Sequence, residues 1–333
     1  MALKLPSTGE SGCSSKLRAT DLVNVLDLSA PNGFAALSGD SGPLNFNSRL
    51  VSTIDTITAM TRTPEVLGKV AVTHAFGDIY ASGATPTDAN FSLGLDHSAV
   101  KSGDGASLAQ SIRKTLSVAG VGLTKAHTYQ SSLIEITLSV VGRRNKLFPA
   151  MRKSLEYDLV LTKPLGAGTV CHDAWLREDR SLILKSEHTL QVDHRPIRHA
   201  LLDSCIRGTT DISGFGLLGH LIILAYAQIC TVEVSFASLP FMKELDAAIA
   251  HTSGNCSARR NEEDFDDYCD WSFQGSSLDR KKTYAAETSG PLLCIVNKDN
   301  TSKLLQIMQQ NGFEQSCQIG IVKKGNNPRV KVH

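Results

Sequence analysis

Hydrophobic and polar positions change period several times along this chain, and the changes predict alternating strands and helices. Residues 49–55 alternate and predict a strand ending in an acid, Asp55. Residues 64–82 carry Val66, Leu67, Val70, Val72, Ala75, Ile79 and Tyr80 at helical spacing. Strands are predicted over 89–95 and 132–141, with a helix over 106–119 between them and a short helix over 21–28. A buried strand over 157–162 follows, then a break at 163–168 that leads into a helix. Beyond it the pattern predicts helices over 194–207, 217–228, 241–250 and 302–310, and strands over 232–236, 290–296 and 317–322. Residues 253–283 are polar, acid-rich and poor in aliphatics, which predicts a long exposed loop. The mixture of sheet and long helices predicts an α+β fold.

The organisation expected is a mobile arm over residues 1–19, a first domain over 20–155 and a second over 156–333. With 333 residues and 41% hydrophobic content, the chain can bury two cores. A formal net charge of +1 gives no reason to expect a nucleic-acid or acidic-membrane partner. The apolar stretch over 217–230 contains Gly219, His220 and Gln228, too short and too polar for a bilayer span. The first six residues form no apolar segment, so a secretory signal is not expected. Eight cysteines are scattered without a C-x-x-C pair, which argues against structural zinc and fits a reducing, cytoplasmic setting. No repeat of 20 to 50 residues is visible.

The densest chemistry lies in Thr210-Asp211-Ile212-Ser213-Gly214-Phe215-Gly216-Leu217-Leu218-Gly219-His220. An acid and a glycine-punctuated turn run straight into an apolar helix. Such a start can be an ordinary cap, with Asp or Ser as cap residue, or a cation-plus-phosphate site. Near the N-terminus, Cys13 and Lys16 stand three apart among Gly and Ser. A thiol near an ammonium group carries more thiolate, the reactive form, although an exposed cysteine in a loose terminus has the same appearance. Asp40, Asp55, Asp78 and Asp211 are hard-oxygen candidates for Mg²⁺, each also compatible with a solvated or capping role.

The wording of the 210–220 segment closely resembles the TD-[IV]-[ST]-GFG-[IL]-LGH signature of selenophosphate synthetase (selenide, water dikinase). The resemblance extends, in order, over about residues 9–330. Gly12-Cys13-Ser14-Ser15-Lys16 is similar to that family's Gly-(Sec or Cys)-Gly-Cys-Lys arm, with Ser14-Ser15 in place of Gly-Cys. Gly39-Asp40-Ser41 resembles its metal loop, Thr53-Ile54-Asp55 its T-T-D strand end, and His74 to Gly83 its N-x-x-S-D-[ILV]-[YF]-A-M-G helix. Val160 to Gly166 and Glu287-Thr288-Ser289-Gly290 match further motifs.

The resemblance implies a two-domain fold like aminoimidazole ribonucleotide synthetase, with an N-terminal sheet domain that pairs into a homodimer and a C-terminal α+β sandwich. It implies the reaction ATP + selenide + water → selenophosphate + AMP + phosphate, with Mg²⁺ and K⁺. It assigns Cys13 and Lys16 to catalysis. Asp40, Asp55, Asp78 and Asp211 fall to Mg²⁺, and Lys16, Gly39, Asp40, Asp55 and Asp78 to ATP together with Lys125, Ala126, His127 and Thr128. Two departures bear on this. The family's Asn on the Asp78 helix is His74, and its G-G-[QH]-T phosphate cradle is Lys125-Ala126-His127-Thr128. They motivate a second expectation, a selenide-independent paralogue of the same fold that binds or hydrolyses ATP in a regulatory role.

Overall fold

The computed structural model describes residues 3–5, 11–25, 37–45, 47–203, 205–252, 256–272 and 274–333. The first half contains α1 (Ala19–Val25), β1 (Gly42–Leu44), β2 (Asn47–Thr58), α2 (Pro64–Ala81), β3 (Ala84–Leu95), α3 (His97–Ser102), α4 (Asp104–Ala119), β4 (Gly122–Gln130) and β5 (Glu135–Arg144). The second half opens with β6 (Glu156–Leu161), α5 (Ala167–Leu176), α6 (Arg180–Leu190), α7 (Arg198–Leu201), β7 (Ile206–Asp211), α8 (Gly216–Gln228), β8 (Cys230–Val234) and α9 (Leu245–His251). It continues with α10 (Cys256–Phe265), β9 (Cys269–Trp271), α11 (Ser277–Tyr284), β10 (Leu292–Asn297), α12 (Thr301–Gln310), β11 (Cys317–Lys324) and β12 (Arg329–Val332). Among the described residues, no helix is long and apolar enough to cross a membrane.

Two sheets organise these elements. The first has five strands in the order β1-β2-β5-β3-β4, antiparallel except for β3 with β4. The second has seven, β7-β10-β6-β11-β8-β12-β9, antiparallel up to β8 and parallel beyond it. Central strands β6 and β10 are buried on both faces, which is why their sequences read as unbroken apolar runs. Helix α8 is apolar all round because it is buried almost throughout. Helix α2 starts on Pro64, where the missing N–H costs nothing, and buries 13 residues between the first sheet, α4 and β7. One apolar cluster therefore joins Val51, Leu67 and Ile136 of the first half to Val160, Leu292 and Phe313 of the second. Thr61 and Thr63 reinforce the junction by donating to Glu187 of α6.

Several expectations need correction. The segment over 253–283 is not a loop. Beyond residues 253–255 and 273, which lie outside the described set, it carries α10, β9 and α11. Its buried stripe is Ser257, Ala258, Asn261, Asp264 and Phe265, helical in period but mostly polar, so the apolar pattern is silent. The helix expected over 194–207 breaks into a 3-10 turn and the short α7, because β7 begins at Ile206 and continues the seven-stranded sheet. Residues 122–130, which no apolar alternation predicts as a strand, form β4 and include the 125–128 motif. Residues 1–2 and 6–10 of the arm and 26–28 of the first helix fall outside the described set.

Gly290, which leads into β10, faces the carbonyl of Ile212, and an added Cβ would stand 2.0 Å from that oxygen. The two segments are tied there by the Ile212 N–H donating to the Pro291 carbonyl at 2.9 Å. A backbone oxygen cannot rotate aside, so Gly290→Ala is expected to cost about 3 kcal/mol. A urea denaturation midpoint indistinguishable from the unaltered chain would contradict this.

Candidate active site

Strand alternation and helical spacing bring the acids together. In β2, Val51, Thr53, Asp55 and Ile57 share the face turned to α2. On α2, His74 and Asp78 are four apart and lie in one row. Strand β7 ends on Asp211, opposite Leu292. Asp40 precedes β1, next to Gly39, whose φ of 102° is open to glycine. Carboxylate oxygens of Asp40, Asp78 and Asp211 lie within 4.8 Å of one another. The Thr210 hydroxyl donates to Asp40 Oδ1 at 3.0 Å, and the Thr53 hydroxyl donates to Asp78 Oδ2. Asp55 stands beside this trio rather than in it. Its Oδ1 is 3.9 Å from His74 Nε2 and its Oδ2 is buried without a hydrogen-bond partner.

The electrostatics of the trio call for a cation. Burial, then the neighbouring charge of Asp211, push Asp40 up to about 8. Burial, then Asp55, Asp211 and Asp40, raise Asp78 well above the carboxylate range. Asp211 rises through burial and Asp55, against the opposing pull of His74 and Lys16. Three crowded oxygen donors whose charges repel, with a fourth carboxylate beside them, fit a hard divalent ion such as Mg²⁺. They line a cavity of about 760 Å³ that also includes Lys16, Gly39 and Phe215.

The N-terminal arm reaches this cavity. Gly12 bridges to Thr58 of β2, and its φ of 57° and tight approach to Thr288 both require glycine. The Cys13 N–H donates to Thr288 Oγ1 at 3.0 Å, and its side chain is 7% exposed. Cys13 Sγ lies 3.0 Å from His74 Nε2. The Ser289 N–H donates to His74 Nδ1 at 3.3 Å, which leaves the ring proton on Nε2, aimed at Sγ. Burial alone would lower the His74 pKa, but the negative charge of Cys13 and Asp55 outweighs it and raises the value to about 10. The two tendencies conflict at Nδ1, where a charged ring would set N–H against N–H. The Ser289 contact favours the neutral ring.

Lys16 is exposed, and its Nζ sits 4.4 Å above the centre of the Phe215 ring. A second cleft of about 610 Å³ is lined by Cys13, Lys16, Asp55, His74, Gly214 and Arg260. Lys16 and Asp55 border both spaces, so the thiol and the acid trio are neighbours.

The glycine-punctuated turn explains its own wording. A Cβ at Gly214 would stand 2.7 Å from Lys16 Cδ and 3.1 Å from the Cys13 carbonyl, so glycine lets the arm lie on the turn. Gly216 has a φ of 68° and backs onto the Tyr284 carbonyl. His220 Nε2 accepts from the Ser213 N–H at 3.1 Å. Burial, with Lys16 and His74 nearby, lowers His220 to about 3, so it is a neutral acceptor. Asp211 does not cap α8. The cap position is Phe215, without a side-chain bond, and the Asp211 carboxylate faces the other acids.

Lys125, Ala126, His127 and Thr128 are not brought to this place. On edge strand β4 they pair with Asn90 to Leu93 of β3, and they line neither cavity. Other residues join the site without having been singled out in the sequence. Thr53 and Thr210, present only as members of the quoted motifs, orient acids. Thr288 and Ser289 hold Cys13 and His74, and had appeared only as part of the Glu287-Thr288-Ser289-Gly290 match. Arg260 comes from α10, whose helical character the aliphatic pattern does not reveal.

Comparison with known proteins follows the same division. The family models for AIR synthase related protein match residues 38–143 (N-terminal domain) and 159–333 (C-terminal domain). A selenide, water dikinase of Pseudomonas putida is 30% identical over 274 residues, covering 80% of this chain and 78% of that protein. One from Pelobacter propionicus is 28% identical over 337 residues, covering 97% and 96%. Among solved structures, AaThiL complexed with AMPPCP and TMP superposes with a TM-score of 0.67 at 18% identity, covering 94% of this chain and 91% of that one. The chain belongs to the AIR synthase related family, and its curated sequence relatives include selenide, water dikinases.

Proposed function

We propose that this protein is a selenophosphate synthetase, converting ATP, selenide and water to selenophosphate, AMP and phosphate. The observation that carries this reading is that Lys16 and Asp55 border two adjoining spaces, one lined by Asp40, Asp78 and Asp211 and the other by Cys13. The names of the sequence relatives and the AMPPCP complex of a fold neighbour support it. Asp40, Asp78 and Asp211, with Asp55 beside them, would hold Mg²⁺, which when bound offsets phosphate charge. Gly39 gives the nucleotide close backbone approach, and K⁺ would complete the ionic requirement. Lys16 swings from Phe215 to the transferring phosphoryl group. Cys13 presents selenium, with His74 fixing the direction of Sγ.

The reading extends to a homodimer formed through the first sheet, whose outer face leaves Ile54 70% exposed. The free cysteines at 13, 171, 205, 230, 269, 294 and 317 suit a reducing compartment such as the cytoplasm. One observation favours the selenide-independent alternative, namely that Lys125 to Thr128 do not line the cavity of the acids. Anaerobic ³¹P NMR with ATP, Mg²⁺, K⁺ and selenide separates the two. A selenide-dependent selenophosphate resonance with AMP and phosphate upholds the synthetase. Intact ATP, or ADP formed regardless of selenide, overturns it.

A further inference from the structure

Helix α10 grips the arm at one buried carboxylate. Arg18 Nε and Nη2 donate to Asp264 Oδ1 at 3.0 and 2.7 Å. The Ala19 N–H donates to the other oxygen, Oδ2, at 2.9 Å. Arg18 Nη1 also stands 3.2 Å from Glu263 Oε2. The Asp264 side chain is 1% exposed, so its charge is balanced by the arm rather than by water. Removing one partner of a buried pair leaves an uncompensated charge, which strongly favours the docked arm. The same helix fixes the surface on which the arm lies, because Asn261 Nδ2 donates to the Gly214 carbonyl at 3.0 Å and to the Tyr284 carbonyl at 2.9 Å. The grip stands two residues from Lys16 and five from Cys13, with little slack between.

We propose that Asp264 is a positioning residue that latches the arm through Arg18 and Ala19, holding Cys13 against His74 and Lys16 at the edge of the acid trio's cavity. The consequence for turnover rests on the synthetase reading above; the latch itself does not. Arg18 is 35% exposed, so Arg18→Ala loosens the arm without opening the core. Asp264→Asn removes the charge while keeping an acceptor for Ala19.

Three quantities are measured on the full chain. They are the rate of Cys13 alkylation by iodoacetamide, read by peptide mass, the rate of tryptic cleavage after Lys16, and kcat and KM for ATP. Both variants are expected to raise alkylation and cleavage by about tenfold to a hundredfold, the span that losing a charge-assisted pair gives to an opening equilibrium. In both, kcat falls by about tenfold while KM for ATP stays within about twofold, and Arg18→Lys recovers part of the loss. Unchanged alkylation in Arg18→Ala overturns the latch, and faster alkylation with kcat intact overturns the positioning role. Should Asp264→Asn fail to fold, Arg18→Ala decides. Should the unaltered protein make no selenophosphate, the synthetase reading fails alone, and the alkylation rates still uphold or overturn the latch.

Discussion

Cys13→Ala is expected to lower selenide-dependent turnover by about a thousandfold or more while leaving the fold intact. Sγ is the group that meets His74 Nε2 at 3.0 Å, and Cys13 is held there by the Thr288 hydroxyl acting on its backbone. The backbone tether survives the substitution, so the arm should still dock. Losing one buried sulfur costs about 1 kcal/mol of stability, whereas losing the reactive atom removes the chemical step. Cys13→Ser separates size from chemistry, since it restores a hydrogen-bonding atom of similar reach but lower nucleophilicity. Circular dichroism should be unchanged in both, with the loss read by ³¹P NMR. Selenophosphate formed at an undiminished rate by Cys13→Ala would remove this residue from the mechanism.

Asp78→Asn is expected to act in opposite directions on stability and activity. Burial, then Asp55, Asp211 and Asp40, press on the Asp78 carboxylate. An amide still accepts from Thr53 but carries no charge, so the variant should gain about 1–3 kcal/mol when no divalent ion is present. Turnover with Mg²⁺ should fall by at least about a hundredfold, because a ligand charge is gone. Asp40, Asp78 and Asp211 have folded-state pKa values above those of the unfolded chain. Their stabilising protons are therefore fully present below about pH 4 and are lost as pH rises toward 8, the value reached by Asp40. Ion-free protein should melt at progressively lower temperature across that window, Asp78→Asn less steeply, and added Mg²⁺ should flatten the slope. Equal melting curves for the two proteins in EDTA at pH 8 would show that the trio is not under repulsion.

Legibility in the sequence followed the kind of burial. Strands β2, β6 and β10 and helices α2 and α8 bury aliphatic side chains, and their apolar periods or unbroken apolar runs announce them. Asp55, Asp78 and Asp211 were readable because each ends or faces an element with a clear pattern. Helix α10 was not, because it buries Ser257, Asn261 and Asp264, whose partners are far away in sequence. A polar stripe satisfied by tertiary hydrogen bonds has no signature in hydropathy. Strand β4 was hidden differently. Seven of its nine residues are exposed, as suits an edge, so no alternation marks it. The contact between Cys13 and His74 was also out of reach, since it depends on where the arm docks and not on any local spacing.

The single apolar cluster running through α2 has a thermodynamic consequence. Leu67, Val70 and Phe76 sit in one cluster with Val160 and Leu292 from the other sheet, so neither half completes its interior alone. Heat or urea should produce one cooperative transition rather than two, with calorimetric and van't Hoff enthalpies in agreement. A fragment ending near residue 150 would leave the β7-facing side of α2 open to solvent, and its natural fate is association with itself or with the missing half.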